Sequence, residues 1–352
     1  MNPYGFVQLG QAAMRSSMKK RGHDHFTGLS GVLTCRLTAE THLFVPGYRA
    51  GGAGRTLQHE SLRFCRSEQT PIIPGTSLKG VLRTVAEAVS GACFIYDNLS
   101  YERNTVQYDL AQSYLHCNDI ERLCPACRIF GLLNGHSVFS GLVTVGDARA
   151  AGAFQTDMLT LGVLSAPKPR HRPFYGRVGQ PRQLRGRKFY YHHLPYHVIT
   201  RTQQDGQNKT VEAAKPRTTF TFDVTYTNLT EQEMALLFYA IVLEPEMRHK
   251  VGMGKPVGLG SGHIEIVRWQ PLDRAARYHT LGDGWAAALE GDALTQAVAG
   301  HISRHGAGIL QNGPMADLRR IWHWPSDPAA TIRYPDQAWF KTNSTVPLEQ
   351  VP

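Results

Sequence analysis

Apolar and polar residues alternate along GVLTCRLTAETHLFV (31–45), several of them β-branched, which predicts a strand. After a glycine-rich, basic stretch over 46–70, Pro74-Gly75 makes a turn, and Thr76 or Ser77 is placed to cap a helix over about 78–90. Val81, Leu82, Val85 and Val89 fall on one face of that helix. HSVFSGLVTVGDA (136–148) reads as a second strand and RTTFTFDVTYTN (217–228) as a third. TEQEMALLFYAIVLE (230–244) predicts a helix with Thr230 as N-cap and Glu233 at the capping-box position. KVGMGKPVGLGSGHIEIVRW (250–269) predicts a glycine loop entering a further strand. A strand-then-helix unit thus occurs early and recurs after residue 215, which predicts an α+β, ferredoxin-like core with insertions. Residues 1–25 read as a polar, basic N-terminal extension that packs on a neighbour. Residues 26–269 read as the core, interrupted over about 91–130 and 165–215. Residues 270–352 read as a helical and irregular C-terminal extension.

Composition narrows the class. With 352 residues, 42% hydrophobic and 19% charged, the chain can bury a substantial core. No run of 18 apolar residues occurs, and the N-terminus lacks the apolar stretch of a secretory signal, so a cytoplasmic protein with no membrane partner is expected. The 38 Lys+Arg against 28 Asp+Glu give a formal net charge of +10, which favours a polyanionic partner such as nucleic acid.

Four places carry candidate chemistry. Glycines between Gly252 and Gly262, including Gly254, Gly258 and Gly260, let backbone N–H groups approach phosphates, and Lys255 adds charge. The loop precedes a strand and lacks GK[ST], so it is neither a dinucleotide fingerprint nor a Walker A loop. In Pro74–Gly80, Ser77, Lys79 and a helix N-terminus make a second anion site. Cys117, Cys124 and Cys127 have the spacing of a structural zinc knuckle, with His116 or Cys93 as the fourth ligand. Residues 168–188 hold eight Lys/Arg and no acidic residue, with Phe174, Tyr175, Phe189, Tyr190 and Tyr191 interleaved or following, as in a strand-tracking, base-stacking surface. His192 and His193 read as packing residues in preference to acid–base catalysts. No Gly-x-Ser-x-Gly elbow, HExxH or kinase set is present.

Taken together, IPGTSLKGVLR (73–83), LCPACRIFG (123–131), FSGLVTVGDA (139–148) and GMGKPVGLGS (252–261) resemble the RAMP superfamily of CRISPR effector proteins. RGRKFYYHH (185–193) resembles its type III-D branch, from which the type VII systems derive. The resemblance implies a modified ferredoxin-like or RRM palm with a zinc knuckle and a thumb hairpin, the thumb lying in 165–215. It implies a backbone subunit that binds crRNA beside copies of itself in a filament and spaces the duplex formed with complementary target RNA. Other effector subunits would include a capping subunit and a separate nuclease. Contacts to RNA are then expected from Ser77, Lys79, Arg83, Lys168, Arg170, Arg172, Tyr175, Arg185, Arg187, Lys188, Gly254, Lys255, Gly258, Gly260 and Ser261. Active type III backbone subunits carry a catalytic aspartate before the IPG element, and residues 46–72 contain none. His59, Glu60 and Glu68 are the substitutes on offer, with Glu60 near the expected spacing. A binding scaffold is therefore expected, against the alternatives of a target-RNA endoribonuclease using the 46–72 loop or a guide-processing ribonuclease using His59, His192 or His193.

Overall fold

The computed structural model describes residues 1–18, 22–47, 59–94, 108–135, 137–164, 171–193, 204–280, 282–327, 330, 332–335 and 337–351. Its first strand, β1, is Tyr4–Val7, and the long strand β2 is Leu29–Ala39. Helix α1 is Gly75–Val89. Two short strands follow, β3 (Val143–Val145) and β4 (Ala148–Ala151), then β5 (Arg187–Tyr190) and the long β6 (Thr219–Leu229). Helix α2 (Pro125–Phe130) lies in the first insertion. Helix α3 (Glu231–Val242) leads to β7 (Ser261–Pro271), and helices α4 (Gly291–His305) and α5 (Asn312–Ile321) follow.

The core sheet runs β7-β2-β6-β3/β4, every neighbour antiparallel. In core-strand order this is fourth-first-third-second, with the crossovers made by α1 and α3. That is the ferredoxin-like arrangement expected from two strand-helix units. The second core strand is split at Gly146-Asp147, and the sheet continues past it through Thr70–Ile73 and Arg66–Ser67. Alternation does the work in β6: Phe220, Phe222, Val224 and Tyr226 point into the core, while Thr221, Asp223 and Thr225 are exposed. The opposite face of the sheet is polar, with Thr34 bonded to Asp223 at 2.8 Å and Arg36 paired with Glu265 at 2.9 Å. Its described residues offer no aromatic platform of the kind that stacks bases on an RRM sheet.

α1 buries Leu78, Leu82, Val85, Ala86 and Val89, close to the predicted stripe, with Val81 only half-buried. Its start differs from expectation. Pro74 is the N-cap, and the Gly75 N–H donates to Asp147 Oδ1 at 2.8 Å, so neither Thr76 nor Ser77 caps it. α3 has the predicted capping box between Thr230 and Glu233. It is apolar almost all round because α4 covers the side that faces away from the sheet.

The extensions belong to the body of the fold. β1 pairs antiparallel with β5, so the N-terminal segment packs within its own chain. Tyr4, Phe6, Tyr108, Phe174, Tyr175 and Leu184 form a buried satellite core, against which Tyr334, Trp339 and Phe340 of the C-terminal segment pack. Lys209–Ala214 joins a separate sheet with Thr156–Leu161 and Glu60–Leu62. Of the 165–215 insertion, the described part thus folds back on the molecule, apart from an exposed hairpin pairing Gly176–Arg177 with Gln180–Leu184.

Candidate RNA-binding groove and metal centre

Three elements meet beside the N-terminal turns of α1. They are α1 itself (Thr76, Ser77, Gly80, Val81, Thr84), the glycine loop (Gly252, Met253, Lys255) and β5 (Lys188, Phe189, Tyr190). Between them lies a groove of about 630 Å³, closed by Val45, Pro46, Lys250 and Trp322. Among the described residues its lining holds three lysines and no carboxylate. Lys250 is buried, and its ammonium donates to the carbonyls of Gly258 (3.3 Å) and Leu259 (3.1 Å). Desolvation pushes its pKa down to about 7, with Lys255 adding to the effect. Burial also lowers Lys188 to about 8, and it pulls Lys255 below the ordinary lysine value. The Lys188 ammonium sits 3.7 Å above the Tyr4 ring and donates to Tyr175 Oη at 3.4 Å, so a cation–π contact and a hydrogen bond tie it to the satellite core behind the groove. A cluster of partly desolvated cations with no counter-charge gains free energy when an anion enters.

The glycines of the loop serve first to shape it. Gly254 (φ 82°) and Gly258 (φ 94°) are left-handed and bracket the short turn Lys255–Val257, which aims Lys255 at the groove. Gly260 has φ 79°, and a Cβ there would lie 1.9 Å from the Val251 carbonyl oxygen. Ser261 is fully buried, with its Oγ bonded to His192 Nδ1 at 2.8 Å and its N–H donated to Thr41 Oγ1 at 3.0 Å. Gly258, Gly260 and Ser261 thus build the loop from behind. Ser77, Lys255 and Lys188 line the groove, and Lys79 lies half-buried on the same helix turn. His192 and His193 are buried and held well below the ordinary histidine range by desolvation, then by Lys250, in keeping with a packing role.

Several residues expected at the RNA are occupied elsewhere. Arg187 is buried, salt-bridged to Glu87 at 3.0 Å and donating to the carbonyls of Ala92 (2.7 Å) and Cys93 (2.9 Å). Arg83 bonds Glu87 at 2.7 Å and the Gly131 carbonyl at 2.9 Å. Arg185 pairs with Glu349 and donates to the Gly176 carbonyl. Tyr175 and Phe174 are buried in the satellite core, and Phe189 is buried where it lines the groove. Arg172 is exposed, and Lys168 and Arg170 lie outside the described residues. Sequence reasoning placed these arginines on RNA because charge density alone does not distinguish an exposed guanidinium from one buried against a carboxylate. It also passed over Lys250, whose approach to the groove depends on the tertiary fold.

The metal centre is better defined than the sequence allowed. Cys93, Cys117, Cys124 and Cys127 are all buried, and their sulfurs lie within 4.8 Å of one another. Cys93 Sγ is 3.4 Å from Cys127 Sγ and 3.6 Å from Cys124 Sγ, near the edge of a tetrahedral thiolate site. The fourth position therefore falls to Cys93. His116 stands outside the set, and its Nε2 meets no hydrogen-bond partner among the described residues. The Cys124 N–H points at Cys117 Sγ (3.4 Å), and Arg83 Nη2 lies 3.8 Å from Cys127 Sγ. Contacts from the thiols of Cys124, Cys127 and Cys93 hold Cys117 far below the ordinary thiol range. The same thiolate holds Cys127 and Cys93 above it. A divalent cation is what lets all four ionise together, and the two nearby guanidiniums offset the charge of the loaded site. Four buried thiols can thus hold a metal ion, and the set suits structural zinc.

The candidate ribonuclease residues are engaged in the fold. His59 Nε2 is 2.8 Å from Thr210 Oγ1, and its Nδ1 is 3.1 Å from the Asp205 carbonyl. Glu60 is salt-bridged to Lys209. Residues 48–58 of the same loop lie outside the described residues. No described helix is long and apolar enough to cross a membrane.

A ferredoxin-like palm with a cationic groove and a cysteine knuckle defines a class of RNA-binding α+β proteins. Comparison with family profiles gives the particular one: residues 36–263 match the RAMP superfamily, and the chain belongs to it. Proteins of this superfamily generally bind crRNA within CRISPR complexes, and this chain is accordingly a CRISPR-associated RNA-binding subunit. No curated protein matches the chain.

Proposed function

We propose that this chain is a guide-RNA-binding backbone subunit of a multi-subunit, RNA-guided CRISPR effector. It would lie along crRNA with further copies of itself, leaving guide bases free to pair with target RNA. The observation that carries this reading is the groove where Lys188, Lys250 and Lys255 converge beside α1 with no carboxylate among its lining residues. Its lining pairs those lysines with hydroxyls of α1 (Thr76, Ser77, Thr84) and two glycines, a set suited to a ribose-phosphate strand and indifferent to base identity. The four-cysteine knuckle would carry structural zinc, fixing the segment that leads from α1 to α2. The exposed hairpin over 176–184 is the described part of the insertion best placed to act as a thumb. The RGRKFYYHH segment supports the type III-D branch or its type VII derivative, and a capping subunit and a separate nuclease would complete the complex.

The subunit acts as a scaffold. His59 and Glu60 hold Thr210 and Lys209 in the sheet that joins 60–62 to 209–214, and neither faces the groove lining. The test is to assemble the complex with its companion subunits and add labelled complementary RNA. Stable binding should survive Lys209→Ala and Glu60→Ala, and any cleavage should be unaffected by Glu60→Ala. Evenly spaced cuts abolished by Glu60→Ala would instead make this subunit an endoribonuclease.

A further inference from the structure

A second group of metal-ligating side chains lies well away from the cysteine knuckle, where α4 crosses the start of α3. His301 and His305 stand four residues apart on α4, which places both rings on one helix face. Glu231, the first residue of α3, faces them. Its Oε2 lies 3.5 Å from His301 Nε2 and 3.8 Å from His305 Nε2, and the three ligand atoms all fall within 4.8 Å of one another. Ligand atoms around a tetrahedral zinc with bonds of about 2.0–2.1 Å stand roughly 3.3 Å apart. Small torsional adjustments of His305 and Glu231 close the remaining gap, since both side chains are partly exposed, at 34% and 52%. His301 is the fixed member: it is buried, packed edge-on against Phe238 with centroids 5.3 Å apart, and bonded through Nε2 to the Glu231 carbonyl at 2.9 Å. That bond is exchanged for the metal on loading.

We propose that Glu231, His301 and His305 form a second metal site, for a borderline divalent transition ion of the zinc type. Two imidazoles and one carboxylate select zinc, cobalt or nickel over magnesium or calcium, which want oxygen donors. Three protein ligands leave a position toward solvent for water. Nothing here resembles the closed four-thiolate knuckle. The ion would staple the C-terminal helix α4 to α3 of the palm.

The test uses the full chain with its cysteine site already loaded with zinc, titrated with cobalt(II). The wild type should take up one further equivalent, with the visible bands of a nitrogen/oxygen site and no added thiolate charge-transfer band. His305→Ala and Glu231→Gln, at exposed side chains that leave the core intact, should each lower that affinity by about 100-fold or more, since weakening the support of a ligand alone costs 10–100-fold. Zinc should raise the melting temperature of the wild type and leave that of His305→Ala unmoved. Uptake equal in wild type and both variants, or no uptake beyond the cysteine site, would overturn the proposal.

Discussion

Lys250 shows how burial converts an ordinary side chain into a functional one. Among the described residues no carboxylate lines the groove and two carbonyls accept from its ammonium, and burial lowers its pKa to about 7. An RNA phosphate stabilises the charged form and raises that pKa, so binding takes up a proton. RNA affinity should therefore be greatest below about pH 7 and fall as pH rises toward the bound-state value. Fluorescence anisotropy across that range checks the sign, and Lys250→Met should flatten the profile. Arg187 teaches the converse. It lay in the most basic stretch of the sequence and promised an RNA contact, yet the fold spends it on Glu87 and on the carbonyls that present Cys93. Removing one partner of a buried pair leaves the other uncompensated, so Arg187→Ala should destabilise the chain by about 3–5 kcal/mol in urea titrations. A variant that keeps full stability and loses RNA affinity would return Arg187 to the RNA surface.

At the scale of elements, what was legible followed periodicity and local capping. The alternation of β6 and the Thr230–Glu233 box fix their own geometry within a few residues, and both stand where the pattern put them. The start of α1 could not be read, because its first N–H is capped by Asp147, a residue distant in sequence that the pairing of Ala148 with Ile73 brings alongside. The aromatic residues of 174–191 carried no periodic signal to say which way they face, and the partners that bury them come from both ends of the chain. The glycine loop was recognisable as an element, but its glycines act on backbone conformation before they act on phosphate. Gly260→Ala would place a Cβ against the Val251 carbonyl in a left-handed conformation. It should cost at least about 1–3 kcal/mol by thermal or chemical unfolding, with RNA binding lost in proportion.

At the scale of the molecule, α1, the glycine loop, β5 and Trp322 of the C-terminal segment line one groove, and the cysteine knuckle braces β5 beside it. Arg187 donates to the Cys93 carbonyl and belongs to the same strand as Lys188, so the knuckle and the groove share a frame. Cys124→Ser should release the metal and lower the melting temperature, because metal binding and local folding are coupled. Metal analysis alongside calorimetry checks both, and an unchanged melting temperature would separate the knuckle from the fold. In the proposed role Lys188 and Lys255 hold a ribose-phosphate strand without reading its sequence. The most direct measurement of that role is the salt dependence of single-stranded RNA binding by the wild type and by the Lys188→Ala/Lys255→Ala variant. Each lost phosphate contact should make the log–log slope shallower by about 0.7, equally for unrelated sequences. Identical slopes and affinities for the two proteins would contradict that role and mean that RNA binds elsewhere on the chain.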